Sequence, residues 1–190
     1  MREMRPGRWL ACLLVLATAA CASRPQRYQD AKMDFGSIRT VAVMPFANLS
    51  QQAAAGDRVR DVFANMLLAT GAVYVLPLGE VSKAVGRLSI QTPGAPSIEE
   101  ILKLGQTLKA DAIITGTVKE YGEMRSGTSS APVVSVSTQM FETTTGKAVW
   151  AASTTKGGLS FGDRLLGSGG TPLNDVTEAA VLDLLDKLFK

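Results

Sequence analysis

The chain has 190 residues, with 20 Lys and Arg against 17 Asp and Glu, two Cys and no His. The missing histidine excludes Ser-His-Asp and Cys-His nucleophile pairs and His-ligated zinc, and it removes the commonest general base near neutral pH. No catalytic residue, cofactor, metal or small-molecule substrate is therefore expected, and the length suits one domain around one core.

Arg2, Arg5 and Arg8 precede an apolar stretch from Trp9 to Ala20, and small residues then lead into Cys21. A basic start, a short apolar region and small residues before a cut are the parts of a secretory signal peptide. The stretch is too short to span a bilayer, which takes about 20 apolar residues. Cys21 after Ala19-Ala20 looks like the acylated cysteine of a bacterial lipoprotein, with residues 1–20 removed and the thiol carrying the lipid. Ordinary cleavage after Ala19 or Ala22 stays open, because Thr18 stands where that signal usually has Leu. Either cut changes the charge. Residues 1–20 hold three Arg and Glu3, so 17 basic and 16 acidic groups remain. A near-neutral chain has no broad footprint for nucleic acid. Cys12 leaves with the leader, so the mature chain has no internal disulfide.

Residues 21–37 are expected to form the lipidated Cys and a short polar tether, and residues 38–190 the periplasmic domain. Ile38–Phe46 is a compact apolar run ended by Pro45, a buried first strand. In Ala53–Thr70, Val59, Val62, Phe63, Met66, Leu67 and Thr70 fall on one helical face, with Arg58, Arg60, Asp61 and Asn65 off it. Gly71 stands where a glycine cap belongs. Ala72–Leu76 reads as a strand and Gly79–Leu88 as a short helix. Ser97 with Glu100 forms a capping box for a helix burying Ile98, Ile101, Leu102, Gly105 and Leu108. Ala112–Val118 is a third strand, in which Gly116 signals a bulge or a close approach.

Glu123–Ala131 is expected to be a loop. Val133–Glu142 and Ala148–Thr155 follow as strands joined by a turn containing Gly146. Val134, Val136, Thr138 and Met140 alternate with Ser135, Ser137 and Gln139, the pattern of a sheet with one covered and one wetter face. Thr171-Pro172 opens a last helix with Leu173, Val176, Ala180, Val181, Leu184 and Leu188 inward. The order β-α-β-α-α-β-β-β-α makes a single α/β domain: two layers, a mixed sheet of about five strands, helices packed on it.

Few residues invite chemistry. Gly146-Lys147 lacks the flanking residues of a phosphate loop, since Phe141 and Ala148 stand at the diagnostic positions. Glu99-Glu100 are accounted for by their place at a helix start. Gly157-Gly158 and Gly167–Gly170 read as loop glycines, and Phe161 with Leu165-Leu166 as a satellite cluster. Candidate contact surfaces are the wetter strand face (Ser135, Ser137, Gln139) and the Asn48 loop.

Three stretches together resemble the CsgG-type, LpoB-like periplasmic lipoprotein superfamily: Val41–Asn48 followed by a helix and Tyr74-Val75-Leu76, Leu108–Tyr121, and Val134–Trp150. The resemblance covers residues 38–156. It implies a non-enzymatic outer-membrane lipoprotein facing the periplasm, held to the membrane through Cys21 and acting as an oligomeric or partner-binding component of an envelope assembly or secretion system. The alternative it implies is a regulatory activator of a peptidoglycan synthase. Glu123–Ala131 is too short for the long membrane hairpin of a curli-type pore. Fully extended, the 16-residue tether 22–37 reaches at most about 55 Å, which favours a protein held close to its membrane.

Overall fold

The structure, a computed structural model, describes residues 27–126, 129–157 and 171–189. A seven-stranded mixed sheet carries four α-helices. In chain order these are β1 (Arg27–Gln29), a 3-10 turn (Phe35–Ser37), β2 (Thr40–Val43), β3 (Ala47–Asn48), α1 (Ala55–Ala69), β4 (Tyr74–Val75), α2 (Leu78–Arg87), α3 (Ile98–Leu108), β5 (Ala112–Ser126), β6 (Ser129–Glu142), β7 (Ala148–Gly157) and α4 (Leu173–Phe189). Strands lie in the order β1-β7-β6-β5-β2-β4, with β3 also on β5. The β2 pairings to β4 and β5 are parallel, and β5–β6–β7–β1 is antiparallel.

This bears out the single α/β domain and its four helices. The two strands beyond the expected five are short. Met44-Pro45-Phe46 splits the first apolar run into β2 and β3, since proline has no N–H for a ladder. The Phe46 ring then turns onto Gly116, where a Cβ would lie 2.6 Å from it. Gly116 thus marks a close approach, and the bulge falls three residues later: Val118 faces Val136 while Glu120 faces Ser135, leaving Lys119 unpaired.

The other new strand corrects the tether. Arg27–Gln29 pairs with Ala152, Ala151 and Trp150 of β7, and Met33 and Phe35 pack on the core. Residues 27–37 are therefore part of the domain. The expected loop at Glu123–Ala131 is corrected too. Its described residues, 123–126 and 129–131, are strand, because the antiparallel pairing of β5 with β6 runs on through Arg125 facing Ser130.

Helices cover the sheet unequally. On one face α1 and α4 bury Val41, Val43, Ile114, Val136, Met140 and Trp150. The Trp150 indole N–H donates to the Lys187 carbonyl at 3.1 Å, fixing the end of α4 to β7. On the other face α2 and α3 cover only the end formed by Ala42, Met44 and Ile113, through Val81, Val85, Ile101 and Leu104.

Local signals set the helix ends. Gly71 has φ of +66° just after α1. Both bonds of the Ser97–Glu100 capping box are present at α3. Along α3 the buried stripe is Ile101, Leu104 and Gly105, whereas Ile98 is exposed. It lies instead against Gly146 of the β6–β7 turn.

Candidate functional site

Where α2 and α3 stop, the second face of the sheet lies open. Strand alternation fixes what it displays. Thr115 of β5, Gln139 of β6, Ala151 of β7 and Tyr28 of β1 form one row across four strands. Thr117, Ser137 and Ser153 form the next, and Ser135 and Thr155 the one beyond. Ser135 and Thr155 hydroxyls are hydrogen-bonded at 2.9 Å. A shallow trough of about 580 Å³ runs over the first two of these rows, bordered by Gly94-Ala95 of the loop before α3 and by Lys119 and Arg27.

The expected wetter surface of Ser135, Ser137 and Gln139 is thus brought together with Thr117, Ser153 and Thr155, which the sequence reading did not single out, while Thr115 in the first row is buried. Opposite, Val134, Val136, Thr138 and Met140 are all buried. Hydroxyl side chains here are short and mostly neutral, so a partner meets hydrogen-bonding groups without displacing a field of charges. Lys119 stands at the rim because its bulge frees it from the alternation.

The Asn48 loop has a different role. The Asn48 amide donates to the carbonyls of Gln52 (2.7 Å) and Ala53 (3.2 Å), while its oxygen accepts from the Ser50 N–H and hydroxyl. Both ends are used to hold the turn into α1, so Asn48 is a clasp. Asp111 does similar work at the opposite end of the sheet: its carboxylate accepts the N–H groups of Arg39 and Thr40, both at 2.8 Å.

Arg60, placed off the helical stripe by periodicity, is buried. Leu76 donates to the Val41 carbonyl, but Pro77 ends β4, so no strand N–H reaches Val43. The Arg60 guanidinium takes that place, donating to the Val43 carbonyl at 3.1 and 2.7 Å. Burial lowers its pKa, and Asp57 and Asp61 oppose that shift. The signal was the proline closing a parallel edge two residues early.

Asp183 on α4 meets Lys156 at 2.8 Å and Lys187 at 2.6 Å. Burial pushes its pKa up, but hydrogen bonds from Lys156, Lys187 and Thr154 outweigh that and hold it at about 2. This cluster fastens α4 to β7 on the covered face, away from the open one.

Cys21 lies outside the described residues, as do Gly158, Phe161, Leu165, Leu166 and Gly167–Gly170. Gly146, with φ of +69°, serves the β6–β7 turn. Glu100 caps α3 by accepting the Ser97 N–H at 2.7 Å. Among the described residues no group of three or more Cys, Asp or Glu could hold a metal. No helix among them is long and apolar enough to cross a membrane. No catalytic arrangement is evident among the described residues.

Comparison with known proteins gives a family. The family described as "Putative lipoprotein GNA1162-like" matches residues 28–185. No curated protein matches in sequence. Among solved structures, the PelC dodecamer from Paraburkholderia phytofirmans is similar at 21% identity, over 85% of this chain and 94% of that one, with a TM-score of 0.57. Lipoprotein GNA1162 from Neisseria meningitidis is 20% identical over 78% and 99%, with a TM-score of 0.54. The LpoB C-terminal domain from Salmonella enterica is 13% identical over 66% and 86%, with a TM-score of 0.48. The first two share the fold. The match falls on GNA1162-like lipoproteins, and nothing supports the CsgG-type placement.

Proposed function

This chain belongs to the GNA1162-like lipoprotein family, and from that premise we propose that it is a non-enzymatic lipoprotein, anchored through Cys21 on the periplasmic face of the outer membrane, that assembles with copies of itself and binds a protein partner in an envelope assembly or secretion system. The observation that carries this reading is the open sheet face. Three long strands present rows of Ser, Thr and Gln that α2 and α3 leave bare. The similar PelC structure is a dodecamer, which supports assembly as the use of such a surface. One acyl chain holds a membrane only marginally, whereas the several carried by a lipoprotein cysteine anchor it stably.

Docking of β1 on β7 weighs against the alternative of a synthase activator reaching across the periplasm. Only six peptide steps separate Cys21 from Arg27, at most about 20 Å when extended.

The test exchanges Ser135 and Ser137 for Glu and measures the mass of the native complex and the proteins recovered with it. The expected result is a smaller assembly of folded protein, and unchanged mass and partner recovery overturns the surface. Recovery of an inner-membrane synthase by crosslinking in cells would favour the activator reading instead. Palmitate labelling of the wild type but not of Cys21→Ser is expected for the anchor, and equal labelling refutes it.

A further inference from the structure

A second concavity of about 410 Å³ lies on the covered face, between the C-terminal ends of α1 and α4. Its floor is aliphatic: Val41, Leu67, Met140 and Leu188, each buried. Phe35, Val73 and Phe189 form the walls, and the polar groups at the mouth include Gln29 and Arg39. Small-molecule sites have this composition and fall in the range of roughly 300–1,000 Å³. The aliphatic floor suits a hydrocarbon chain, and the polar mouth suits a headgroup.

From this we infer that the cavity takes the acyl chain of an anionic single-chain lipid, with the lipid's carboxylate or phosphate against Arg39. The Arg39 backbone is engaged, its N–H by Asp111 and its carbonyl by Tyr74. Its guanidinium makes no hydrogen bond or ion pair among the described residues, which leaves it available to an anion. One wall, from Gln29 to Ile38, belongs to the segment that begins six residues after Cys21. On the anchored reading, which supplies the lipid source, the cavity therefore stands near the bilayer surface. The chains attached to Cys21 itself fit less well, because a thioether-linked diacylglycerol and an amide offer Arg39 no anion.

Binding can be measured without the anchor, so failure of either idea is visible alone. The full chain carrying Cys21→Ser, recovered unacylated from the periplasm, is titrated with cis-parinaric acid, a fluorescent fatty acid. Saturable fluorescence at one site is expected, displaced by lysophosphatidylglycerol. Arg39→Gln is expected to weaken parinarate and lysophosphatidylglycerol about tenfold, as loss of one charge-assisted contact does, and to leave an uncharged monoacylglycerol, which has no anionic oxygen, unchanged. Ala72→Trp, which places a ring at the mouth, should abolish binding while melting like its parent. Absence of saturable fluorescence with folded protein overturns the site, and so does an Ala72→Trp protein that binds as its parent does. Equal weakening of the anionic lipids and the uncharged monoacylglycerol by Arg39→Gln overturns the anionic head. Lipid carried in by the acylated wild type but absent from Cys21→Ser, with no parinarate binding by the latter, would assign the cavity to the anchor's own chains and overturn the free-lipid source.

Discussion

The two faces of the sheet differ in what their side chains must do. Behind β5–β6–β7, Val118, Val134, Val136, Met140 and Trp150 are packed by α1 and α4, and each one has a shape to fill. In front, Thr117, Ser137 and Ser153 answer to water or to a partner, and Ser135 shares its hydroxyl with Thr155 alongside. The same strands supply both sets, one residue apart. A protein can therefore change its front face with little effect on its fold, while the back face is fixed by packing.

The largest effect should come from breaking the covered face at its centre. Trp150→Ala removes a fully buried ring and the hydrogen bond that holds the end of α4. A loss of about 3–5 kcal/mol is expected, read by urea unfolding. Arg60→Met should follow, at about 2–3 kcal/mol, because the Val43 carbonyl loses both of its guanidinium donors in a buried setting. Met keeps the stem's packing, so a change under 0.5 kcal/mol would show that the carbonyl finds water instead.

Asp183 sharpens the comparison through pH. Its folded pKa of about 2 lies below the ordinary 3.8, so its carboxylate binds protons more weakly in the folded chain. Its contribution is complete above about pH 4 and is lost as pH falls toward 2, at most about 2 kcal/mol. Asp183→Asn should flatten stability across that window in acid titrations, and a parallel pH dependence would contradict the ion cluster.

A gain comes next. The Thr138 hydroxyl is buried on the covered face with no hydrogen-bond partner among the described residues, so Thr138→Val should raise stability by about 1 kcal/mol, seen as a higher midpoint at equal m-value. Smallest of all, Ser137→Glu on the open face should change stability by less than about 0.5 kcal/mol in the separated monomer, checked by thermal melting. A large loss there would mean that the front face is packed after all.

The alternation along β6 and the heptad-like spacing in α1 were legible because each is set by local periodicity against a single buried side. The capping box and Gly71 were legible for the same reason, since their partners lie within a few residues. What escaped depends on distant chain. Arg27–Gln29 has no apolar pattern and is a strand only because β7 offers an edge. The ends of β5 and β6 are rich in Gly, Ser and charged residues, and they pair through backbone groups that composition does not reveal. Arg60 lies off its own helix stripe, and its burial follows from where Pro77 ends a strand elsewhere. The open face was legible as a wetter side of one strand. Its extent across β5, β7 and β1 required the register.

Load on the N-terminus enters this domain through its outermost strand. β1 holds only three residues of ladder, and short edge pairings open long before a core yields. On the reading that Cys21 carries the anchor, zipped β1 stops the leash six steps after it, at most about 20 Å. Opened as far as Ile38, the same leash has 17 steps and reaches at most about 58 Å. The sheet edge is thus a catch on the length of the mooring, and its release leaves β2 and β4–β7 in place.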